Sequence, residues 1–464
     1  MSFRGDETGS IRRLRSRRID ATVLVGLVLM ALVAVGLLLV HPRGWSAPTT
    51  APTEQPLSAS LRVCPAAPSG KAQVVAASDA SGALQSSAGL PTHAQLKAHT
   101  PVSGTGGAKP IVLSASGTAA GGFAAGSWAT GPLRASDCSG PSPDAWYTGL
   151  GAGAVHDSVI TLTNPTDGDA VADVLLYGPK GPVAAPSLRG VALQPGATKS
   201  FDLLRTIPMH GVLDAEISVT RGQIASSVLD QQKSLTGGPA MQEWVAPQPH
   251  AVRVPVLLGI DAGHGSHVLY VANPTQRQLT ADLKLVSGSA VFTPDGAPTM
   301  TLPAQSVVSL SLDKLLRSKA AAGALGVELD ATGPVTASLR RTSGNDILAT
   351  TAGDRVGEPA EVLVPPGAKQ LVLLGDTGTG SVTVTTSDSS GKRLGSQRLS
   401  VTADQGATAS LPAGATFVEV TPSGVSVIGT VVVTQSGKNG GSATMPLRER
   451  VRRNLVPAVL PGLR

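Results

Sequence analysis

A segment repeated at an offset of 109 residues, from Asn164 to Asn273, constrains the fold of this chain more than any other feature. A strand-like stretch ends at Asn164-Pro165-Thr166, and a similar stretch ends at Asn273-Pro274-Thr275. Each Asn is expected to close a turn, and each Pro to end its strand because it fixes φ and removes a backbone donor. Ligand binding by these residues is the alternative. Asp173 recurs as Asp282 at the same offset, so the pattern predicts two homologous units.

The composition of the repeated region is typical of β-sandwiches. Val, Thr, Ser and Ala dominate, and Gly and Pro are frequent, which favours short strands divided by turns. Units of about 100 residues with about seven strands fit immunoglobulin-like sandwiches. A third, diverged copy without the Asn-Pro-Thr turn is expected from Lys369 onward. We therefore predict an all-β fold of tandem immunoglobulin-like sandwiches in a short rod, with units at 146–245, 250–350 and 362–440.

An uncharged apolar run over residues 21–40 precedes this region and follows a cluster of arginines between 12 and 18. At about 1.5 Å per residue, the run just spans the roughly 30 Å hydrocarbon layer. The positive-inside bias places the N-terminus in the cytoplasm. We expect a transmembrane helix that binds the lipid bilayer in the cell membrane, with the bulk of the chain extracytoplasmic; a cleaved signal peptide is the alternative. The predicted segments are a cytoplasmic basic N-terminus (1–20), the anchor (21–40), a Pro/Thr/Ala-rich linker (41–60) and a β-rich region (61–145).

Two cysteines, Cys64 and Cys138, lie in the part expected to be exported. In an oxidising compartment such a pair most simply forms a disulfide, here across 74 residues of a segment that is poor in core residues. Two free buried thiols are the alternative. The chain has no Cys-x-x-Cys motif, which disfavours redox catalysis and a thiolate metal site.

The positive charge of the chain is concentrated at its two ends. Of the formal net charge of +6, residues 1–20 carry +3 and residues 448–464 carry +4, which leaves −1 for the rest. A nearly neutral body disfavours nucleic-acid binding. The basic tail, 445–464, is expected either to form a short amphipathic helix or to be a solvated end. Its candidate contacts to an acidic partner or envelope polymer are Arg448, Arg450, Arg452 and Arg453.

Three motifs imitate functional sites, and each has a simpler structural interpretation. Asp376-Thr377-Gly378 matches an aspartic-protease turn, but the sequence has no second copy, so a Gly/Thr turn is favoured. Asp261, His264 and His267 form only a weak metal-ligand pattern. The glycines between 149 and 153 lack a following helix that could bind phosphate. We therefore expect no enzymatic activity, no catalytic residue, no cofactor and no metal ion.

Four further features occur together in a known family. They are the arginine-flanked apolar run, Cys64-Pro65, the segment Asp-Ala-Trp-Tyr-Thr-Gly at 144–149 and the strand end at Asn164-Pro165. In these features the chain resembles actinobacterial single-pass envelope proteins of unknown function. No catalytic residue is assigned in that family. Its members are often encoded close to a membrane glycosyltransferase, so the resemblance implies a role in the assembly or export of envelope glycans.

These observations favour a non-enzymatic scaffold or accessory protein of the cell envelope, which assists a membrane glycosyltransferase or glycan export. A carbohydrate-binding envelope module is the second interpretation. That module would need exposed aromatic side chains, and most of the few aromatics in this chain are expected in the core. An envelope hydrolase is the third interpretation, and it would need a pair of carboxylates with perturbed pKa values.

Overall fold

The computed structural model describes residues 21–39, 53–67, 71–233, 240–261, 264–437, 440–449 and 451–456. The chain divides into two compact units, one of residues 1–54 with 455–464 and one of residues 55–454. In the first unit, helix α1 covers Ala21–Leu39. Within the segments just given, no helix has the length and apolar character needed to cross a membrane. The predicted segment 1–20 and the larger part of 41–60 lie outside the described residues.

Apart from α1, the chain is built almost wholly of short strands, as alternating apolar and polar residues between turns favour. Two 3₁₀ turns, at Gly117–Ala120 and Pro186–Leu188, and helix α2, at Leu203–Thr206, interrupt the first eighteen strands. These strands are β1 Thr53–Pro56, β2 Ala59–Cys64, β3 Ala72–Ala77, β4 Gly82–Ser86, β5 His93–Leu96, β6 Val102–Gly106, β7 Ile111–Ser116, β8 Ala124–Ala129, β9 Arg134–Asp137, β10 Asp144–Ala152, β11 His156–Thr163, β12 Ala170–Gly178, β13 Gly181–Val183, β14 Val191–Leu193, β15 Thr198–Asp202, β16 His210–Arg221, β17 Ala225–Gln232 and β18 Met241–Val245.

The second half of the chain continues in the same way, with helix α3 at Asp313–Leu316 and a 3₁₀ turn at Lys319–Ala321. Its strands are β19 Val256–Leu258, β20 Ser266–Asn273, β21 Leu279–Val286, β22 Val291–Phe292, β23 Thr299–Leu302, β24 Ser306–Ser311, β25 Gly326–Ala331, β26 Thr336–Ser343, β27 Asp346–Thr351, β28 Arg355–Val356, β29 Ala360–Leu363, β30 Ala368–Ser387, β31 Arg393–Thr402, β32 Gly406–Leu411, β33 Phe417–Gln435, β34 Gly441–Pro446 and β35 Arg453–Val456. Strands β1 and β35 form a two-stranded sheet.

Four β-sandwiches account for strands β2 to β34, one more than the sequence repeat indicates. They are sandwich 1 (59–137), sandwich 2 (144–245), sandwich 3 (256–351) and sandwich 4 (355–446). The additional sandwich occupies the β-rich region that precedes the duplicated segments. It has the same strand order as the others, although its sequence lacks the Asn-Pro-Thr turn.

The shared strand order is simplest to see in sandwich 1. When its eight strands are numbered along the chain, one sheet runs 1-6-3-4 (β2-β7-β4-β5) and the other runs 5-2-7-8 (β6-β3-β8-β9). Sandwich 3 repeats this order as β19-β25-β21 with β22 and β23, and β24-β20-β26-β27. Sandwich 2 also repeats it, but in one continuous sheet because β10 and β11 pair with each other.

Sandwiches 2 and 3 share their strand register as well. Val159 of β11 lies opposite Asp202 of β15, and Val268 of β20 lies opposite Ser311 of β24. Both members of the second pair lie 109 residues after their counterparts, as the sequence offset predicts. The two units are therefore equivalent at the level of single residues, including Asn164 with Asn273 and Asp173 with Asp282.

Sandwich 4 reaches the same order with fewer and longer strands. Strand β30 supplies positions two and three, and β33 supplies positions six and seven, so each crosses from one sheet to the other. The sheets are β29-β33-β30-β31 and β32-β30-β33-β34, and β28 also pairs with β33. The diverged copy thus has the strand order of the other three.

The predicted immunoglobulin order is wrong, although the predicted sandwich layering is present. In immunoglobulin constant domains the first two strands pair within one sheet. Here strand one pairs with strand six, and strand two pairs with strands five and seven, in each sandwich; strands one and two meet at a single residue pair, in sandwich 2. Alternation of apolar and polar residues predicts two packed sheets, but it does not encode at which corner the chain changes sheet.

The predicted rod is also wrong, because the sandwiches close into a ring. The eighth strands, β9, β18, β27 and β34, contact one another in sequence, and β34 contacts β9; we call these four strands the central bundle. Buried apolar residues join the neighbours, such as Val256 with Val372 between sandwiches 3 and 4 and Ala72 with Trp244 between sandwiches 1 and 2. Burial at about 25 cal/mol per Å² favours this closure over an extended array.

Candidate functional site

The C-terminal end of the central bundle surrounds a cleft of about 390 Å³. Each chain segment that leaves an eighth strand contributes to its lining. These segments lie within 137–145 after β9, 246–249 after β18, 354–355 after β27 and 448–451 after β34. Because the chain segments at the ends of all four sandwiches reach this one cavity, the cleft is the candidate site.

Arg448 makes the contacts that connect the sides of the cleft. Its Nε lies 3.4 Å from Asp137 Oδ2, and its Nη1 lies 3.1 Å from Asp354 Oδ2. Its Nη2 donates to the carbonyl oxygen of Pro247 at 2.8 Å. A planar guanidinium with five donors suits such a three-way contact. Arg448 therefore ties the end of sandwich 4 to the ends of sandwiches 1, 2 and 3.

Two charged groups in the cleft, Asp137 and Arg62, have perturbed pKa values. Burial raises the pKa of Asp137, and the positive charges of Arg448 and Arg62 oppose that shift. Burial lowers the pKa of Arg62, and the charge of Asp137 opposes it. At the rim, Glu449 Oε1 accepts from the backbone N–H of Gly357 at 2.6 Å. The polar groups of the cleft thus bind one another across sandwich boundaries.

The predicted disulfide between Cys64 and Cys138 is confirmed, and it forms part of the cleft wall. Cys64 ends β2, while Cys138 directly follows β9 of the central bundle. The bond fixes the segment that leaves β9 to the first strand of sandwich 1. A cross-link that closes a loop of this length typically stabilises a fold by about 4 kcal/mol.

The opposite end of the central bundle is buried and polar. Arg134 Nη1 of β9 donates to Gln242 Oε1 of β18 at 2.6 Å, and Asp346 Oδ2 of β27 accepts from the backbone N–H of Ser442 in β34 at 3.0 Å. Burial raises the pKa of Glu243 well above its usual value, and the charge of Asp346 adds to the shift. Burial also raises the pKa of Asp346 to about 6. All four eighth strands therefore share one polar contact region.

An ion-pair cluster joins sandwiches 2 and 3. Arg340 Nη2 lies 2.6 Å from Asp230 Oδ2, and His156 Nε2 lies 2.8 Å from Asp230 Oδ1. Ser158 Oγ donates to the same Oδ1 at 2.6 Å, and the Arg340 guanidinium lies over the ring of Tyr270. Burial alone would raise the pKa of Asp230, but Arg340, His156 and Ser158 hold it below its usual value. The cluster is a buried charge with its partners satisfied.

A second carboxyl at this junction is less well satisfied. Asp214 of sandwich 2 is fully buried, and its Oδ1 accepts from Thr148 Oγ1 at 2.7 Å and from Thr336 Oγ1 of sandwich 3 at 3.2 Å. Its Oδ2 has no hydrogen-bond partner among the described residues. Burial raises the pKa of Asp214 to about 7. The group is therefore partly protonated near neutral pH.

The comparison with known families bears on this arrangement. A family model, described as a family of unknown function (DUF5719), matches residues 102–414. The chain belongs to the DUF5719 family. The match extends from sandwich 1 into sandwich 4, so it includes the central strands β9, β18 and β27. No curated protein matches the chain.

In this DUF5719 chain, the two Asn residues singled out by sequence sit at equivalent corners. Asn164 is fully buried, and its Oδ1 accepts from the backbone N–H of Thr166 at 3.0 Å. Asn273 Oδ1 accepts from Thr275 in the same way at 2.9 Å. Each Asn Nδ2 also donates to three backbone carbonyls, those of residues 168, 193 and 194 in sandwich 2 and 277, 302 and 303 in sandwich 3. Pro165 and Pro274 follow these residues as each strand ends.

The protease-like Asp-Thr-Gly segment lies within the bend of β30. Asp376 Oδ1 lies 3.0 Å from Arg355 Nε, and its Oδ2 accepts from Ser426 Oγ of β33 at 2.9 Å. Gly378 has φ of +82°, a left-handed value that favours glycine. The segment thus shapes a strand bend and fixes its side chains locally.

The two histidines of the weak metal-ligand pattern lie in different environments, although both are close to Asp261. His264 is exposed and lies 3.3 Å from Asp261, whereas His267 is buried beside Asp313 at 3.8 Å. Burial lowers the pKa of His267. Within the described part of the chain, no group of three His, Cys, Asp or Glu residues could hold a metal ion.

The helix considered for the tail is wrong, because residues 441–446 form β34 and residues 453–456 form β35. Leu447 is buried, and its N–H donates to the carbonyl of Gly429 at 2.9 Å. Strand pairing at the end of sandwich 4 therefore outcompetes two isolated helical turns. Of the candidate arginines, Arg448 is engaged in the cleft, Arg452 binds Asp79, Arg453 is exposed and Arg450 lies outside the described residues.

Asp137, Asp354 and Arg62 of the candidate site belong to none of the motifs recognised in the sequence. Asp137 ends β9 and Asp354 follows β27, and each precedes a Gly- or Pro-containing link, Gly140-Pro141 and Gly357 respectively. An acidic residue at the end of two sandwiches is the pattern by which Asp137 and Asp354 could have been recognised. The pattern does not predict that these residues line one cleft, because that depends on closure of the ring.

Proposed function

We propose that this DUF5719 protein is a non-enzymatic scaffold or accessory protein of the cell envelope, in which the ring of sandwiches is the rigid body. The supporting observation is the placement of its perturbed charged groups. Asp137, Asp230 and Asp346 each take part in a contact between sandwiches. Charged groups that are already paired with other protein groups across a sandwich junction favour a structural role over proton transfer to a substrate.

The membrane attachment belongs to the same proposal. The apolar run 21–40 and the arginines that precede it support an anchor, with the sandwiches on the extracytoplasmic side. The resemblance to actinobacterial envelope proteins supports a membrane glycosyltransferase or an envelope polymer as the partner. The anchor would then hold a preformed binding surface close to the membrane.

Arg448 gives this proposal its most direct test. Replacing it removes a contact that joins four chain segments, so the R448A variant should loosen the ring and reduce partner capture. R189A is the matched control. Arg189 is an exposed arginine that directly follows the 3₁₀ turn at Pro186–Leu188, and it is not part of the central bundle. The full-length chain is cross-linked in membranes and recovered by affinity capture, and co-purified proteins and glycans are identified by mass.

The expected result is a partner that is captured by the wild type and by R189A, and at least several-fold less by R448A. Equal capture by R448A would show that the closed ring is not the binding surface. If nothing is captured beyond what a chain of residues 1–60 retains, the scaffold proposal fails.

A further inference from the structure

One face of sandwich 1 carries a row of polar residues across two strands, bordered by Trp128 on a third. Gln73 of β3 lies directly opposite Thr105 of β6 on one side and Trp128 of β8 on the other. Ser103, two residues before Thr105, points to the same face because side chains alternate along a strand. Gln73, Ser103 and Thr105 are all exposed. Such a row offers a regular series of hydrogen-bonding groups.

Trp128 fixes the orientation of the central amide in this row. Its Nε1–H donates to Gln73 Oε1 at 2.9 Å, and its own side chain is nearly fully buried. Because the Gln73 oxygen is engaged, the Gln73 amide nitrogen is directed away from the indole. Within the described segments, that Nε2 has no protein partner, so it is a preorganised donor at the surface.

A groove follows the row of polar residues. One part, of about 450 Å³, is lined by Lys71, Thr105 and Thr130. A second part, of about 240 Å³, extends toward sandwich 4. Both parts share Gln73, Ser103 and Trp128, so the groove is continuous across the junction between sandwiches 1 and 4.

A buried lysine supports the far wall of the groove. Residues 413–416 of sandwich 4 form that wall, together with Pro366 and Ser389. Lys369 Nζ donates to the carbonyl of Ala413 at 2.5 Å and to that of Gly367 at 2.9 Å. The wall is therefore held in place by charge-assisted hydrogen bonds rather than left as a loose loop.

The chemistry of this groove differs from that of the cleft at the central bundle. The cleft contains carboxylates and guanidinium groups, whereas the described lining of the groove contains Lys71 as its single ionisable side chain and no carboxylate. Trp128 is buried and offers no exposed ring for stacking on a sugar, so recognition would rest on hydrogen bonds. Hydroxyl groups and a fixed amide donor match the alternating donors and acceptors of sugar hydroxyls. We propose that this groove binds a neutral glycan chain. This inference goes beyond the scaffold role and does not depend on it.

The test uses the full-length protein in detergent and four neutral hexasaccharides as probes: α-1,4- and β-1,4-linked glucose, β-1,3-linked glucose and α-1,6-linked mannose. Binding is measured by calorimetry and by saturation-transfer NMR. Q73A and T105A each remove one donor or acceptor from the row. Q85A is the matched control, because Gln85 is an exposed Gln on β4, in the other sheet of sandwich 1.

We expect at least one hexasaccharide to bind at millimolar concentration or below. Loss of one hydrogen bond should weaken its affinity about three- to tenfold in Q73A and in T105A, and Q85A should leave it unchanged. Circular dichroism checks that each variant keeps its strands. Absence of binding to all four probes overturns the proposal, as does equal affinity of Q73A and the wild type. Binding of a neutral Ser/Thr/Gly peptide in place of every sugar would also overturn it.

Discussion

Sandwiches 3 and 4 have the same strand order but turn the same corner by different chemistry. In sandwich 3 the chain leaves β20 at Asn273, whose side chain binds the backbone on both sides of the corner. In sandwich 4 the equivalent corner is the middle of β30, which continues into the second sheet without a break. A buried side chain organises the first corner, and direct backbone contact organises the second.

Glycine makes the second type of corner feasible. The bend of β30 lies against the bend of β33, and a Cβ placed on Gly380 would lie 2.1 Å from the carbonyl oxygen of Ser423. Gly378 and Gly424 have φ of +82° and +72°, which other residues adopt only with strain. The same strand order therefore forms either with a buried polar side chain at the corner after strand two or with glycines on two adjacent bent strands.

Removing the Asn273 side chain should have the largest effect on stability. In N273A, Asn273 loses two accepted and up to three donated hydrogen bonds at a fully buried position, so we expect a loss of about 3 to 4 kcal/mol in the stability of sandwich 3. Hydrogen exchange with mass spectrometry on peptides of each sandwich measures the loss locally. N273D retains the acceptor atom and separates the two sets of bonds. If N273A exchanged like the wild type, the corner would not depend on this side chain.

The glycine corner should respond to an added methyl group. We expect G380A to destabilise sandwich 4 by about 2 kcal/mol, since the clash is with backbone and the strands must separate. G395A is the control, because the nearest atom to a Cβ there is 3.8 Å away. The measurement is again local exchange, now in peptides of β30 and β33. Similar exchange rates in G380A and G395A would contradict the idea that the two backbones must approach so closely.

Sandwich 1 provides the smallest expected effect, because it uses a serine at this corner. Ser78 is buried, accepts from the N–H of Ala80 at 3.3 Å and donates to the carbonyl of Ala119 at 3.0 Å. S78A should cost about 1 kcal/mol, as expected for a few net hydrogen bonds. S114A on β7, where Ser114 is half-buried in mid-strand, is the control. A loss of stability as large as that of N273A would show that the contribution of the corner residue does not depend on the size of its side chain.

These corners explain which parts of the fold the sequence could predict. Asn164 and Asn273 are large polar residues with a following Pro, so they stand out at a fixed offset and reveal two sandwiches. At the equivalent corner of sandwich 1 stands Ser78, a common residue that does not stand out in the sequence. In sandwich 4 the bend around Gly378 replaces the Asn-Pro-Thr motif. Sandwich 1 was therefore missed as a copy, and sandwich 4 was recognised only as diverged.

The candidate site was harder to predict than the sandwiches. Cys64 and Cys138 could be paired from compartment and number alone, and Cys138 lines the cleft. Arg448 was selected for its charge but assigned to an outside partner, because its carboxylates come from segments about 94 and 311 residues away in sequence. Such contacts form only when the ring closes, so no local sequence pattern predicts them.

Closure of the ring removes a requirement that linear repeat proteins must meet. In an open array the first and last repeats need specialised outer faces to protect the core from water. Here β34 contacts β9, so the last sandwich occupies the flank of the first, and neither has an outer end to protect. Any one sandwich is thus bordered on both sides, and deleting it would expose two buried flanks at once. Gain or loss of a single repeat, a common route of change in solenoids, would therefore require this ring to close again around a different number of sandwiches.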